Sequence, residues 1–292
     1  MQGQVRGKTL TEYWRNIKKY ISERKERGRP EYPTGIEFID GLTDGIHKGE
    51  VWCISGKSGG GKSTLAMQIA RHLTEGNSAI LYISLEMKGE DLILRMFCEM
   101  MEVNFSELRR GNYPDNWEKK NEVFTQYIKD INFEIVEFGY TFAEVMKILN
   151  TLYTKAHRPD VIFIDFVQLI SVMGAKFDER IAIQEFIREL TELAKREKLA
   201  IVLVSQLRRP PSGADLHRPP ALEDLKGTGS LEQLSHIVVF IYKKIERAPN
   251  GTENVRHIIQ IAKNRHGATG EKEMDFVGEQ YRFRELEMFG VR

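Results

Sequence analysis

The sequence predicts an α/β fold in which a mostly parallel central sheet is covered by helices on both faces and ends in a C-terminal β-hairpin extension. Three observations predict it. Short runs rich in Val and Ile alternate with longer segments that are apolar at helical spacing. The short runs are continuously apolar, as strands buried on both faces must be. The last two runs, HIVVFIYK (236–243) and VRHIIQIAK (255–263), flank the turn-forming stretch APNGTEN as a hairpin does. A chain of 292 residues, 41% hydrophobic and 29% charged, has ordinary globular composition and length enough for a sizeable core. No apolar run reaches the length of a membrane span, and the start MQGQVRGKTL lacks the apolar centre of a secretion signal, so a cytoplasmic location without membrane contact is expected. Cys53 and Cys98 have neither metal-ligand spacing nor a disulfide framework and are expected to pack as small apolar groups.

The first element is a helix. Leu10, Tyr13, Trp14, Ile17, Tyr20 and Ile21 recur at helical spacing, and Thr9 with Glu12 forms a capping box. The first 30 residues hold nine Lys/Arg and three acids, while the whole chain carries only +1, so the positive charge is local to this segment. GRPEYP (28–33) then breaks the helix. The chain therefore divides into a basic amphipathic helix with its tether, residues 1–33, and a main domain, residues 34–292. The helix either folds back on its own domain or docks on a neighbouring subunit.

Within the main domain, EVWCISG (50–56), AILYISL (79–85), FEIVEF (133–138), VIFIDF (161–166) and LAIVLVS (199–205) read as strands. GKSTLAMQIARHL (61–73), DLILRMFCEMM (91–101), TFAEVMKILNTLYTKA (141–156) and ERIAIQEFIRELTELAKRE (179–197) read as the helices between them. Ligands of such sheets bind beyond the carboxyl ends of the strands.

GKSGGGKS (56–63) occupies the first of those ends and matches G-x-x-x-x-G-K-[ST] between a strand and a helix. Gly56, Lys57, Ser58, Gly59, Gly60 and Gly61 form a loop whose backbone amides can turn around phosphate oxygens. Lys62 reaches the outer phosphates, and Ser63, followed by Thr64, offers a hydroxyl to Mg²⁺. VIFIDF places Asp165 at the end of another apolar strand, where a carboxylate assists in holding Mg²⁺; an N-cap or turn aspartate is the alternative. The residues after it, Phe166, Val167 and Gln168, include no acid, so the base that activates water must come from elsewhere. Glu86, in SLEM after the second strand, is the candidate, against a solvated loop acid. Gln206 ends VLVSQ, where a neutral amide can sense a γ-phosphate or simply cap the strand.

The loop LRRPPSGADLHRPPAL (207–222) holds four of the nine prolines and is basic through Arg208, Arg209, His217 and Arg218. LKGTGS (225–230) adds Lys226 beside Gly227 and Gly229, whose freed amides suit a nucleic-acid backbone; a solvated loop is the alternative. No aromatic residues interleave there, so base stacking is not indicated. Lys263 and Arg265 in IAKNRHGATG sit two apart, so strand alternation points both cations the same way. They are either an anion site or two solvated strand-end charges.

GKSGGGKST, LYISLEM, VIFIDFVQLI, VLVSQL, LEDLKGTGSLEQ and IAKNRHGATG, in this order and spacing, resemble the DnaB family of ring-shaped replicative helicases over about residues 30–285. The resemblance implies a RecA-like P-loop ATPase core using ATP and Mg²⁺, a hexameric ring, single-stranded DNA in its channel, and a primase or loader as a further partner. It implies Glu86 as catalytic glutamate, Asp165 as magnesium aspartate and Gln206 as γ-phosphate sensor. Lys226, Gly227 and Gly229 fall on the family's DNA-backbone loop, with Gly227 where an acid usually stands. Lys263 and Arg265 match a lysine and arginine finger acting across the subunit boundary, and the first helix matches a linker helix docked on the adjacent protomer. The family's usual N-terminal collar domain has no counterpart in the sequence, as expected of either a natural short form or an engineered truncation. A recombinase of the RecA type, a KaiC-like regulatory ATPase and a non-translocating DNA-binding loader protein are the alternative classes.

Overall fold

Side-chain alternation along the apolar runs decides how the chain layers. In the strand Val51–Gly56, Trp52 and Ile54 enter one core while Val51 and Cys53 enter the other. The same division holds in Ile80–Ser84, where Tyr82 faces the first core and Leu81 and Ile83 the second. The structure, a computed structural model, describes residues 9–137, 141–152, 158–165, 167, 179–208, 218–225, 229–247 and 253–286.

In chain order, helices α1 (Leu10–Arg27) and α2 (Glu37–Thr43) precede strand β1 (Val51–Gly56). Then follow α3 (Lys62–Thr74), β2 (Ile80–Ser84), α4 (Gly89–Met101), α5 (Phe105–Arg109), α6 (Trp117–Asp130), β3 (Phe133–Val136), α7 (Phe142–Leu152) and β4 (Val161–Asp165). The series continues with α8 (Glu179–Glu197), β5 (Ala200–Gln206), α9 (Gly229–Leu234), β6 (Ile237–Arg247), β7 (Glu253–Asn264), β8 (Gly270–Val277) and β9 (Arg282–Glu285). These strands form one sheet in the order β3-β2-β4-β5-β1-β6-β7-β8-β9. Pairing is parallel from β3 through β6 and antiparallel from β6 to β9.

The α/β architecture, mostly parallel with an antiparallel C-terminal part, is the one expected. Two strands of that part were not expected, because the apolar series stops at Lys263. In β8, Glu271, Lys272, Glu273 and Asp275 interrupt the apolar pattern, and most of the strand is only half-buried. Both cysteines are free and buried; burial pushes the Cys53 thiol up to about 12 and the Cys98 thiol up to about 11. Among the described residues, no helix is long and apolar enough to cross a membrane.

Helix α1 starts at the expected capping box, in which the Glu12 carboxylate accepts from Thr9 N at 2.7 Å and Thr9 Oγ1 accepts from Glu12 N at 3.3 Å. It ends on Gly28 in the left-handed conformation, φ 69°. None of its residues is buried, and the whole stripe of Leu10, Tyr13, Trp14, Ile17, Tyr20 and Ile21 is exposed. Its root is clasped to the main domain by Arg24, whose Nη2 and Nε donate to the Asp44 carboxylate at 2.6 and 3.0 Å.

Candidate nucleotide site and a second cation site

β1 delivers the glycine-rich loop to the carboxyl edge of the parallel strands. Gly60 N donates to Lys57 O at 3.1 Å, closing the loop. Gly61 adopts φ 94° just before α3, and a Cβ there would lie 2.7 Å from the Phe283 ring, so the position needs glycine on both counts. The first amide groups of α3 have no partners within the helix and open onto the loop, the arrangement that receives phosphate.

Lys62 is only 9% exposed, and its Nζ donates to Lys57 O at 3.0 Å. Burial lowers its pKa, while the Asp165 and Glu86 carboxylates oppose that shift. Asp165 is 2% exposed. Its Oδ2 accepts from the Tyr82 hydroxyl at 2.8 Å, and Oδ1 is buried without a hydrogen-bond partner among the described residues. Burial pushes the Asp165 pKa up against the hydroxyls of Ser63 and Tyr82 and the charge of Lys62. A buried carboxylate oxygen left unpaired next to a serine hydroxyl has the hard-oxygen chemistry that a divalent cation requires.

Glu86 is exposed on a turn after β2, where Ser84 Oγ donates to Met87 O at 2.6 Å and accepts from Met87 N at 3.3 Å. Leu85 N, bonded to Asp165 O at 2.7 Å, ties that turn to the end of β4. Ser58, Gly59, Gly61, Lys62, Ser63, Thr64, Glu86 and Gln206 line one cavity of about 570 Å³. Gly56, Lys57 and Gly60 belong to the loop beside it, and the Asp165 carboxylate acts electrostatically on Lys62.

The same cavity is lined by Met87, Arg95, Phe276, Gly278 and Tyr281, none of which the sequence singled out. The Arg95 guanidinium carbon lies 4.3 Å from the Tyr281 ring centroid, a planar cation over an aromatic face. The signals were slight: one arginine within the apolar stretch DLILRMF, and a tyrosine some 180 residues later.

Lys263 and Arg265 lie elsewhere. The register places Lys263 opposite Val238, which neighbours Cys53 near the start of β1. The glycine-rich loop leaves β1 three residues further on, about 10 Å along the strand. The two cations therefore sit at the amino edge of the parallel strands, on the opposite side of the sheet from their own phosphate loop. Both point the same way, as strand alternation implied. Lys263 Nζ donates to Glu232 O, and Arg265 Nη2 donates to Gln233 O at 2.5 Å, both carbonyls in the last turn of α9. A helix carboxyl end carries partial negative charge, so it is a natural resting place for cations.

Of the proposed DNA-contacting residues, Arg208 is exposed just after β5 and Gly229 begins α9. Arg209, Lys226 and Gly227 lie outside the described residues. Arg218 is engaged by Asp224, to which Nη1 and Nη2 donate at 2.9 and 2.5 Å.

Fold and site together define a P-loop nucleotide-binding domain with a mostly parallel sheet. Residues 32–285 match the family model described as DnaB-like helicase C terminal domain, and the chain belongs to that family. It is 30% identical over 262 residues to the replicative DNA helicase DnaB of Buchnera aphidicola subsp. Baizongia pistaciae, covering 86% of this chain and 54% of that protein. The chain spans about half the length of several curated relatives it matches. Its fold is that of a solved structure described as an ATPase domain, with a TM-score of 0.84 at 23% identity, covering 97% of this chain and all of that one. It is also similar to a DnaB-like replicative helicase whose structure is described with its interactions with primase, with a TM-score of 0.79 at 24% identity, covering 92% of this chain and 67% of that one.

Proposed function

We propose that the chain is the motor of an ATP-driven DNA helicase that hydrolyses ATP at subunit boundaries of a hexameric ring and translocates on single-stranded DNA. The separation of Lys263 and Arg265 from their own phosphate loop carries this reading. Cations at the far edge of the sheet have reach to a neighbour's nucleotide, and a closed ring gives every subunit such a neighbour.

In this reading, the loop amides and Lys62 hold the outer phosphates, and Glu86 takes the proton of the attacking water. Gln206 reports whether a γ-phosphate is present. Ser63 and Asp165 would hold Mg²⁺, which when bound neutralises charge on the phosphates. Lys263 and Arg265 stabilise charge developing on the neighbour's γ-phosphate, and Arg95 with Tyr281 offers the flat surface on which the base stacks. Arg208, Arg209, Lys226, Gly227 and Gly229 follow the DNA backbone. The exposed apolar stripe of α1 supports docking on the adjacent protomer, with residues 1–33 as linker and 34–292 as motor domain. A primase or a loader is the further partner class.

Hydrolysis with and without single-stranded DNA, followed by strand displacement, tests the proposal. ATP-dependent displacement is expected. Lys226→Ala is expected to weaken binding equally for unrelated DNA sequences and to flatten its salt dependence. Hydrolysis without displacement would move the chain to the regulatory or recombination ATPases, and DNA binding without hydrolysis to the non-translocating loaders.

A further inference from the structure

The turn that carries Arg265 is fastened on both sides, and one fastening ends on a buried carboxylate far away in sequence. Glu50, immediately before β1, is 7% exposed. Its Oε2 accepts from Trp52 Nε1 at 3.3 Å, and its Oε1 faces His266 Nε2 within ion-pair distance. His266 is the residue after Arg265. The bond holds whether His266 is neutral, donating from Nε2, or protonated.

The His266 ring is parallel to that of His236 within 7°, with centroids 6.5 Å apart, and lies 5.5 Å from His47 on its other neighbour. His236 is itself locked to β1: its backbone N donates to Val51 O at 2.7 Å, and its Nδ1 accepts from Val51 N at 3.2 Å. His236 O accepts from Arg265 N at 3.1 Å. On the other side of Arg265, Asn264 Nδ2 donates to Leu42 O at 2.8 Å, while Asn264 Oδ1 accepts from His266 N at 2.9 Å. Within Asn264–Arg265–His266, the Arg265 side chain is the one that leaves the turn, resting on Gln233 O in the last turn of α9.

A surface turn that only connects two strands has no need of a buried carboxylate beneath it. Burying a carboxylate is costly unless it is paired and hydrogen-bonded, so a site that keeps one has tied its partner firmly in place. Here the tied partner adjoins a cation that must meet a phosphate across a subunit boundary. Transition-state stabilisation depends steeply on such placement, and an error of about 1 Å costs on the order of 10²-fold in rate. We infer that Glu50 and His266 are positioning residues for hydrolysis at the neighbouring subunit, because their contact fixes the turn from which Arg265 reaches across. The inference rests on the in-trans role proposed for Arg265.

Glu50→Gln keeps the size but leaves one acceptor oxygen where the carboxylate has two, so it cannot accept from Trp52 Nε1 and His266 Nε2 through separate oxygens. The substituted ring is expected to bind ATP and DNA with unchanged affinity and to hydrolyse about 10- to 100-fold more slowly. Complementation separates positioning from general damage. Glu50→Gln subunits retain Glu86, so mixing them with Glu86→Gln subunits creates interfaces with an intact base on one side and an intact finger turn on the other, and activity is expected to rise. Mixing Glu50→Gln with Arg265→Ala subunits creates no such interface, and no rise is expected. His266→Gln alters the exposed partner, and it carries the same test should Glu50→Gln fail to fold.

Arg265→Ala mixed with Glu86→Gln is the control. If that pair shows no rescue in rings shown to be mixed, the in-trans role itself fails. If it rescues while the Glu50 and His266 variants either hydrolyse at the wild-type rate or show no rescue with Glu86→Gln, only the positioning role is overturned.

Discussion

The two ends of the parallel sheet are built on different plans. At the carboxyl edge, eight consecutive residues from Gly56 to Ser63 make the phosphate cradle, and Glu86, Asp165 and Gln206 each stand at or just beyond a strand end. At the amino edge, Lys263 and Arg265 depend on α9 for their resting place, and the turn that carries Arg265 depends on Leu42, Glu50 and His236. The first edge is a continuous stretch of chain with its chemistry in its own backbone; the second is an assembly of distant parts. A site of the first kind works wherever the loop folds, whereas one of the second kind can be moved by whatever moves its parts. That is useful where hydrolysis must answer to a neighbour.

The largest effects should come from emptying each edge in turn. Arg265→Ala is expected to leave ATP binding intact and to slow hydrolysis by roughly 10³–10⁵, the range for an arginine supplied in trans. Glu86→Gln is expected to leave MgATP binding intact and to slow turnover by roughly 10²–10⁴, as loss of a general base does. The comparison breaks if the two variants, mixed in one ring, fail to restore activity, since the edges would then not serve different subunits. Single-turnover hydrolysis beside nucleotide-binding titration measures both effects.

These two edges also differ in how far the sequence discloses them. The phosphate loop is legible because its pattern is contiguous and its flanking strand and helix have clear periodicity. Asp165, Gln206 and Glu86 are legible because an apolar run says where a strand ends and hence where its next polar residue emerges. Arg95 and Tyr281 are not, since α4 and the turn after β8 meet only once the sheet has folded back on α3. The same holds for Glu50, which reads as an ordinary acid before a strand until His266 is brought over it. Strands β8 and β9 escape for a related reason: an edge that is half-buried carries charges at many positions, and the apolar signal thins out. Contact across many intervening residues leaves no periodicity in either partner.

A smaller effect sharpens the comparison through stability. Burial raises the Asp165 pKa in the folded protein, so the charged form is disfavoured there relative to the unfolded chain. The stabilising contribution of a group with a raised pKa is fully present below its unfolded value and is lost as pH rises through the folded one. At neutral pH, Asp165 therefore lowers the stability of the nucleotide-free protein. Asp165→Asn keeps an oxygen to accept from Tyr82 and removes that cost. Its melting temperature is expected to exceed that of the wild type at neutral pH, with the gap closing as pH falls through the raised pKa, while hydrolysis is severely reduced. An unchanged or lower melting temperature would mean that the carboxylate edge is structural rather than held ready for a cation.

The smallest effect belongs to the root of α1, beside the amino edge. Asp44 sits in a left-handed turn, φ 56°, and accepts the Arg24 fork together with the Tyr20 hydroxyl at 3.4 Å. Tyr20 also lies 6.5 Å from His47, which in turn neighbours His266, so the clasp borders the braced turn without being part of it. Asp44→Asn tolerates the same backbone conformation and removes only the charge. The hydrogen bond from Arg24 holds the Asp44 carboxyl below its usual range, so the pair's contribution is present above the unfolded aspartate pKa and disappears as pH falls through the folded one. Because both side chains stay partly exposed, the expected loss in melting temperature at neutral pH is no more than about 2 °C, vanishing in acid. Hydrolysis should stay within about twofold of wild type, since neither Arg24 nor Asp44 lines the nucleotide cavity. If Asp44→Asn instead slows hydrolysis as far as Glu50→Gln does, the bracing of Arg265 extends through His47 into α1, and the amino edge is wider than the Glu50–His266 pair.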